Sequence, residues 1–484
     1  MRIFVTMWII SEKMINKLLL YFCFIIISAA CRKSEILNKE NTILIGIAEV
    51  NYTPEVGLDL VGNYRGHDYA SRGIHDSLFA RAIVAKGEDG TKAAVLSVDI
   101  CYFGRQTVGM MRSYIASKTN IRPENIMIHA THTHSGPKSD LSAPKAKEYL
   151  IRAADAAIIA DGNLKPSKIT AGRSEEERVS FNRRLKCIDG TTHMCWETFE
   201  PGFVIGPLGP IDPELKTISI IQDNKTAGVL INFGCHATTL TGNNWLYSAD
   251  YPGYIAESVK RIHGNAIIPI FLNGPCGNVT QVDYKVGFPD TYEECQRIGY
   301  ILGVTAMESM NKDEKVDGSV VCVSREMVPL KRIAITKEQY EWAKVIMRKV
   351  ELEGMPPAQA DGIPDAEYAK VWLEMYKTQE QVDSLEVMVI LIGGVAFVGL
   401  PGEVFCEFGM EIKKASPFKN TLVMGLTNDN RDYFPTKISF TQGPEGFTPM
   451  ITGYETTPGS TLYEPVSGEK LAESAIRQLK KLNK

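Results

Sequence analysis

Three apolar segments, "NIMIHATHTHSGP" (125–137), "VLINFGCHA" (229–237) and "AIIPIFLNGPCGN" (266–278), each run straight into a cluster of polar and turn-forming residues. Apolar runs this short, bounded by glycine and proline, are buried strands. Around them the spacing becomes helical: "TVGMMRSYIASKTN" (107–120), "AKEYLIRAADAAIIAD" (146–161) and "DYPGYIAESVKRIHG" (250–264), the last opened by Pro252 and stopped by Gly264. Strands alternating with helices predict an α/β fold: a large mixed β-sheet core with flanking helices and an active site at the strand ends.

Other segments extend this pattern. "TILIGIAEV" (42–50), "GIHDSLFARAIVAK" (73–86) and "KAAVLSVDICYF" (92–103) read as strands. "LEVMVILIGGVAFVGLPGE" (385–403) reads as a β-hairpin turned at Gly393 and Gly394 that delivers Glu403 just past a Pro-Gly turn. Residues 336–380 read as a helical-hairpin insertion. Thr336 and Gln339 form a capping box, and Trp342, Val345, Ile346 and Val350 share one face. The partner helix presents Tyr368, Val371, Trp372 and Met375. The hairpin is read as a lid or insertion against the main sheet, its aromatics serving as core.

The formal net charge of −4 removes any long-range reason to expect nucleic acid as a partner. Near the N-terminus, the ten-residue run Leu18–Ile27 follows Lys17 and precedes Ser28, Ala29, Ala30 and Cys31. It is too short to span a bilayer and suits a secretory signal. The small residues before Cys31 are lipobox-like, although Ser28 stands where leucine is commonest. The expected organisation is a signal peptide over 1–31 and one catalytic domain over 32–484, anchored to a membrane through lipid on Cys31. This would be an exported bacterial lipoprotein, periplasmic or associated with the outer membrane; a plain secretory signal or an uncleaved anchor is the alternative.

Export permits disulfides. Eight of the ten cysteines follow Cys31, none in a CxxC pair, which argues against a thiolate zinc site. Cys187 and Cys195, either side of a short loop, are the best disulfide candidates, and the rest read as small buried apolar residues.

Only eight histidines occur in the chain, and three of them, His129, His132 and His134, fall within "HATHTH". In an extended backbone residues i and i+2 share a face, so His132 and His134 converge just beyond a strand. Imidazole is the commonest protein ligand of zinc, although an HxH alone is equally a satisfied or surface pair. His236 ends a second apolar strand, and Glu403 follows a third apolar stretch. A carboxylate buried there costs several kcal/mol unless a cation compensates it. Two imidazoles and a carboxylate make a known catalytic zinc set.

Beyond these residues, the chain resembles the catalytic domain of the neutral (non-lysosomal) ceramidases. The similarity runs in order through "IGIAEV", "GIHDSLFARA", "HATHTHSGP", "SFNRR", "INFGCHATT", "GPCGNVTQ", "LPGE", "NDNRDYFPT" and "GYETTPGSTLYEP". The resemblance implies Zn2+ held by His132, His236, Glu403 and Tyr433, with His134, Arg183 and Tyr454 around the scissile amide. It places Thr280 where the family has a serine in a Gly-Asp-x-Ser-Pro-Asn block; here the following proline is replaced by Gln281. Threonine can serve as nucleophile or donor, but its methyl group restricts χ1. Cys276 in "GPCGN" is an alternative nucleophile, but the segment is read instead as a turn whose backbone N–H groups face the site. The family continues into an immunoglobulin-like C-terminal domain, which is not expected in this sequence.

The implied reaction is hydrolysis of an N-acyl lipid amide, ceramide to sphingoid base and fatty acid. Zinc lowers the pKa of its water to about 7. His134 and Tyr454 would donate to the oxyanion, Arg183 would orient the substrate, and Thr280 would act near the leaving nitrogen. Hydrolysis of another acyl bond (an N-acyl sugar, a peptide-like amide or an ester) would share the zinc site. A lipid-anchored binding protein without turnover is the alternative of another class. The oligomeric state is left open.

Overall fold

The computed structural model describes residues 43–66, 68–359, 362–378 and 380–484. The signal-like run and Cys31 lie outside the described residues. A nine-stranded mixed sheet is built from β1 (Ile43–Asn51), β2 (Phe79–Lys86), β3 (Lys92–Val98), β4 (Ile126–Ala130), β5 (Lys165–Glu175), β6 (Glu214–Gln222), β7 (Lys225–Phe233), β8 (Ile268–Asn273) and β9 (Glu314–Val316). Its order is β8-β7-β6-β5-β1-β2-β3-β4, with β9 beside β5. A second sheet runs β10 (Val321–Lys331), β11 (Val382–Ile392), β12 (Val395–Gly399), β13 (Asn420–Met424).

Alternation along the strands explains how the layers stack, because successive side chains leave opposite faces. Ile43, Ile45 and Ile47 on β1 and Leu230 on β7 face Met388, Ile390 and Phe397 of the second sheet, forming the core between the sheets. On the opposite face, Ala80, Ala82 and Val84 of β2 pack with helices α1 (Arg105–Lys118) and α2 (Ala146–Gly162). Val229, Ile231 and Phe233 of β7 pack with α3 (Tyr251–His263) and α4 (Tyr292–Met310). The hairpin helices are α5 (Lys337–Glu353) and α6 (Asp365–Thr378), and α7 (Cys406–Ala415) and α8 (Ser467–Leu482) cover the outer face of the second sheet. The layers are therefore helices, sheet, sheet, helices.

The parallel pairs position the site. β3–β4, β7–β8 and β12–β13 pair in parallel and are joined through α1, α3 and α7 respectively. Parallel neighbours need such crossovers, and loops beyond their carboxyl ends collect on one side. His132 follows β4, His236 follows β7 and Glu403 follows β12.

Several expectations are revised. The strand expected over 92–103 stops at Val98, because buried Asp99 turns to accept from Phe79 N (2.9 Å) and Arg81 (3.1 Å). The expected disulfide is absent: Cys187 and Cys195 are both free thiols. Cys195 lies level with Arg183 on the neighbouring strand. Cys187 is four residues further along, roughly 13 Å at ~3.3 Å per residue, beyond disulfide reach.

The capping box at Thr336 and Gln339 forms, and the hairpin turns at Gly393 (φ 58). Of the faces expected on α5 and α6, Val345 is 54% exposed and Val371 38%, whereas Ala343, Trp372 and Met375 are buried. The stripe on α5 is rotated toward Gln339 and Ala343, because this pair packs against Ile335, Leu462 and its own partner rather than against a broad sheet. Trp372 is fully buried, lies 4.9 Å from Trp342 and donates from Nε1 to Pro458 O (2.6 Å). Trp372→Ala is expected to cost about 3–5 kcal/mol, read from the urea midpoint. An unchanged midpoint would show that the helix pair stands outside the cooperative fold.

Candidate metal centre

The chain after β4 does not stay extended. Thr131 N donates to Val98 O (3.0 Å) and His132 N to Ile100 O (2.9 Å), and His132 adopts φ 74. Left-handed backbone is uncommon for residues with a side chain and clusters at functional sites. His132 and His134 therefore converge through a turn rather than through strand periodicity, with rings 4.7 Å apart and edge to face.

Glu403 is placed by a two-residue parallel ladder, Glu403–Val404 against Tyr433–Phe434, which sets Tyr433 directly opposite it. The glycine of "LPGE" is obligatory: Gly402 sits at φ 72, and a Cβ there would lie 2.6 Å from Asp432 O.

Backbone carbonyls fix the imidazole tautomers. His132 Nδ1 lies 2.8 Å from Cys101 O; His236 Nδ1 lies 2.8 Å from Cys276 O and 3.0 Å from Val279 O. A carbonyl only accepts, so each Nδ1 carries a proton and each neutral ring turns its Nε2 lone pair inward. Those two nitrogens face Glu403 Oε2 at 3.3 Å and 2.9 Å. All three ligand atoms lie within 4.8 Å of one another and all three residues are buried or nearly so.

Three acceptors aimed at one point repel unless a cation or a proton lies among them. Burial, then Arg183, holds His236 down to about 4, so a proton does not serve there. Burial also opposes charge on His132, but the Glu403 carboxylate outweighs it and pushes that imidazole upward. Burial would raise Glu403, yet His132 and His236 hold it well below the usual carboxylate range. This donor set, two nitrogens and a carboxylate with carbonyls behind the imidazoles, fits a divalent metal ion. Cys101 with His132 and His134 forms a second possible group. Its thiol lies on the Nδ1 side of His132 at 3.7 Å, and burial pushes it up and away from thiolate, so the Glu403 group is the stronger candidate.

The remaining candidates surround the centre. Tyr433 is buried, with its hydroxyl 3.5 Å from His236 Nε2; burial and then Glu403 push its phenol well above the ordinary value. Ligation through Tyr433 therefore requires the metal itself to ionise it. His134 bonds through Nδ1 to Asn63 Oδ1 (3.2 Å), leaving its Nε2 3.4 Å from that of His132. Burial, then His132 and His236, keeps His134 neutral. Gly62 (φ 108) permits this approach, since a Cβ there would lie 2.4 Å from the His134 ring.

Arg183 donates from Nε to Glu455 Oε1 (2.6 Å) and places NH1 3.2 Å from His236 Nε2, while its NH2 is buried without a hydrogen-bond partner among the described residues. Its guanidinium lies 5.1 Å from the ring centre of Tyr433, 5.5 Å from Trp196 and 5.9 Å from Tyr454. A cavity of about 400 Å³ is lined by His134, Arg183, His236, Thr280, Tyr433 and Tyr454, with Tyr64, Phe288 and Ile363 among its apolar walls.

A match to the family described as "Neutral/alkaline non-lysosomal ceramidase, N-terminal" covers residues 43–280. Residues 43–280 of the chain belong to this family. The neutral ceramidase of Pseudomonas aeruginosa is 24% identical over 278 residues, 52% of this chain and 40% of that protein. That of Mycobacterium tuberculosis is 27% identical over 250 residues, 47% of this chain and 34% of that protein. The matched regions thus span less than half the length of these relatives. The crystal structure of the Pseudomonas aeruginosa neutral ceramidase superimposes with a TM-score of 0.68 at 20% identity, covering 91% of this chain and 74% of that one. The mixed sheet with flanking helices is thus the fold of a ceramidase.

Within this ceramidase-family chain, His132, His134, Arg183, His236 and Thr280 fall inside the matched region, whereas Glu403, Tyr433 and Tyr454 come from later elements. In the "GPCGN" segment the Cys276 carbonyl holds His236, and Gly277 N–H is spent on Val404 O (2.9 Å) rather than facing the site. Cys276 is buried and its thiol pushed up, unsuited to a nucleophile. Four further residues support the site from behind. Asn63 orients His134 and Glu455 holds Arg183. Gln281 bonds Thr280. His129, fully buried and held down to about 3, bridges Gly425 O and Asn273 N and ties the strand ends together. Only the spacing "HATHTH" hinted at the last.

Proposed function

We propose that this chain is a zinc-dependent amidohydrolase that cleaves the amide of an N-acylated lipid of the ceramide class into an amine and a fatty acid. The convergence of the His132, His236 and Glu403 acceptors on one point beside the cavity carries this reading. Family membership supports the same reaction class. His132, His236 and Glu403 would hold the ion, with Tyr433 beside them. Bound zinc would supply Lewis-acid polarisation of the acyl carbonyl and acidification of a water.

The protein's own groups account for the rest. His134, neutral with its Nε2 lone pair inward, takes a proton from water as oxygen adds to the acyl carbon. The unpartnered Arg183 NH2 and the Tyr454 hydroxyl provide donors for the oxyanion. As the C–N bond breaks, the proton on His134 passes to the leaving nitrogen, beside Thr280. At about 400 Å³ the cavity lies at the small end of ligand pockets. Tyr64, Phe288 and Ile363 line the cavity and offer apolar surface to the substrate's chains.

The same small volume favours a second reading, an amide with a compact acyl group such as an N-acetyl sugar. Purified protein incubated with ceramides, N-acetyl sugars and acyl esters is expected to release fatty acid from ceramide. A chelator is expected to abolish release and zinc to restore it. Turnover of N-acetyl sugars alone would move the assignment to the second reading. Full zinc occupancy with no turnover of any acyl compound would overturn both.

A further inference from the structure

Trp196 forms one wall of the cavity and is carried on a turn from Met194 to Glu197, closed by Glu197 N donating to Met194 O (3.0 Å). The turn follows the strand Thr192–Met194, which pairs with Arg184–Cys187 and sets His193 opposite Leu185. From it the Trp196 ring lies 5.5 Å from the Arg183 guanidinium and 6.2 Å from the Tyr454 ring, edge to face.

Both oxygens of Glu197 hold this turn: Oε1 accepts from Met194 N (2.8 Å), and Oε2 lies 2.7 Å from His193 Nδ1. The other ring nitrogen, Nε2, lies 2.9 Å from Asp189 Oδ2, while Asp189 Oδ1 accepts from Thr191 N (3.0 Å). Carboxylates only accept, and a neutral imidazole carries one N–H, so both contacts are hydrogen bonds only when the ring is an imidazolium. Turning the ring over would set carbons against both carboxylates and forfeit both bonds, so its orientation is fixed.

Burial works against charge on His193, but the bonds to Asp189 and Glu197 outweigh it and raise the imidazole above its ordinary value. These two carboxylates are the charged groups that face the ring. Phe199 and Phe203 stand edge to face with it at 5.9 Å and 5.2 Å, and the Cys187 thiol, on the neighbouring strand, is pushed up to about 11 by burial and stays neutral.

We propose that His193, as an imidazolium bridging Asp189 and Glu197, is a positioning residue that holds the Met194–Glu197 turn so that Trp196 stays over Arg183 as a wall of the substrate site. Its kinetic readout rests on the amidohydrolase reading above. Loss of the proton sets a lone pair against one carboxylate, the turn loosens, and the cavity loses that wall. Deprotonation comes as pH rises through the raised value, so binding is complete below it and weakens above it. The bonds of His193 run to Asp189 and Glu197 and not to the metal centre, so the effect falls on KM and not on kcat.

The test measures kcat and KM of the zinc-loaded full chain on a short-chain ceramide from about pH 6 to about pH 9, as ratios to His193→Phe, which cancels titrations common to both proteins. Phenylalanine keeps the ring packing on Phe199 and Phe203 but offers no donors. His193→Phe is expected to raise KM about fivefold at pH 6, with kcat within about twofold, and the native KM is expected to climb to meet it above the midpoint. His193→Arg, whose donors and charge persist at every pH, is expected to keep KM near the low-pH native value throughout, a rescue that ring packing alone would not produce. A second readout needs no substrate: the fluorescence of Trp196, taken as native minus Trp196→Phe, is expected to titrate with a midpoint above about 6.5 and to be flat when His193 is also phenylalanine. Native and His193→Phe KM values that run in parallel, an arginine variant that follows the phenylalanine one, or a flat Trp196 signal would each overturn the proposal. If no N-acyl compound is turned over, the amidohydrolase reading falls, and the Trp196 titration alone decides whether His193 holds the turn.

Discussion

Glu403→Gln is expected to empty the metal centre and to lower kcat/KM by at least about 10³-fold, the several kcal/mol of transition-state stabilisation that a Lewis acid contributes. The substitution is nearly isosteric, so the ladder that pairs Glu403 with Tyr433 is kept. What changes is the chemistry at the point of convergence. Oε2 now lies 2.9 Å from His236 Nε2 and 3.3 Å from that of His132. An amide N–H₂ turned to that position donates to an imidazole lone pair, satisfying internally what a cation satisfied before. Elemental analysis and steady-state kinetics with added zinc measure both effects. Thermal unfolding gives an independent readout. Zinc at a hundredfold excess over Kd should add about 2.7 kcal/mol to the native protein and nothing to the variant. Stoichiometric zinc with unaltered kinetics in the variant would remove Glu403 from the centre.

The second large effect is expected at Glu455, which is fully buried between two guanidinium groups. Its Oε1 accepts from Arg183 Nε and its Oε2 from Arg184 NH1, both at 2.6 Å. Glu455→Ala strands two buried cations and is expected to destabilise the fold by about 3–5 kcal/mol, read from urea titration. Arg184 keeps bonds to Ser439 O and Thr452 O, whereas Arg183 loses the contact that sets its angle over the cavity. Activity should therefore fall even where the variant remains folded.

The pH dependence of this difference has a definite sign. Burial works against a carboxylate at Glu455, but Arg183 and Arg184 outweigh it and hold the group below the ordinary carboxylate value. Its stabilisation is complete above the unfolded value of about 4.3 and fades as acid protonates the folded carboxyl. The gap between native protein and Glu455→Ala should be constant at neutral pH and shrink below about pH 4. A gap that is unchanged by acid, or absent at neutral pH, would mean that the pair contributes no net stability.

Much of this arrangement was legible along the chain. Apolar strands running into His132, His236 and Glu403 announced buried polar groups where a soluble core avoids them. Alternation and glycine-proline punctuation announced the sheets, because those signals are local. Strand periodicity does not bring His132 and His134 together, since the backbone turns left-handed at His132 under the bonds of Thr131 N to Val98 O and His132 N to Ile100 O. The Cys187–Cys195 pairing failed because sequence proximity says nothing about strand level. The buried stripe on α5 departs from the expected face because its partner is another slender helix, which buries a narrower band than a sheet does.

Residue type and position after a strand are properties of the chain itself, and they determined the candidate ligands, the α/β layering and the family. Which nitrogen of each imidazole faces inward and that Arg183 is clamped by Glu455 were decided by tertiary structure. The Cys101 carbonyl reaches His132 across 31 positions, Cys276 reaches His236 across 40, and Glu455 reaches Arg183 across 272. Hydrogen bonds at such separations leave no local periodicity or composition to read, because they exist only once the sheets have brought distant loops to the same side.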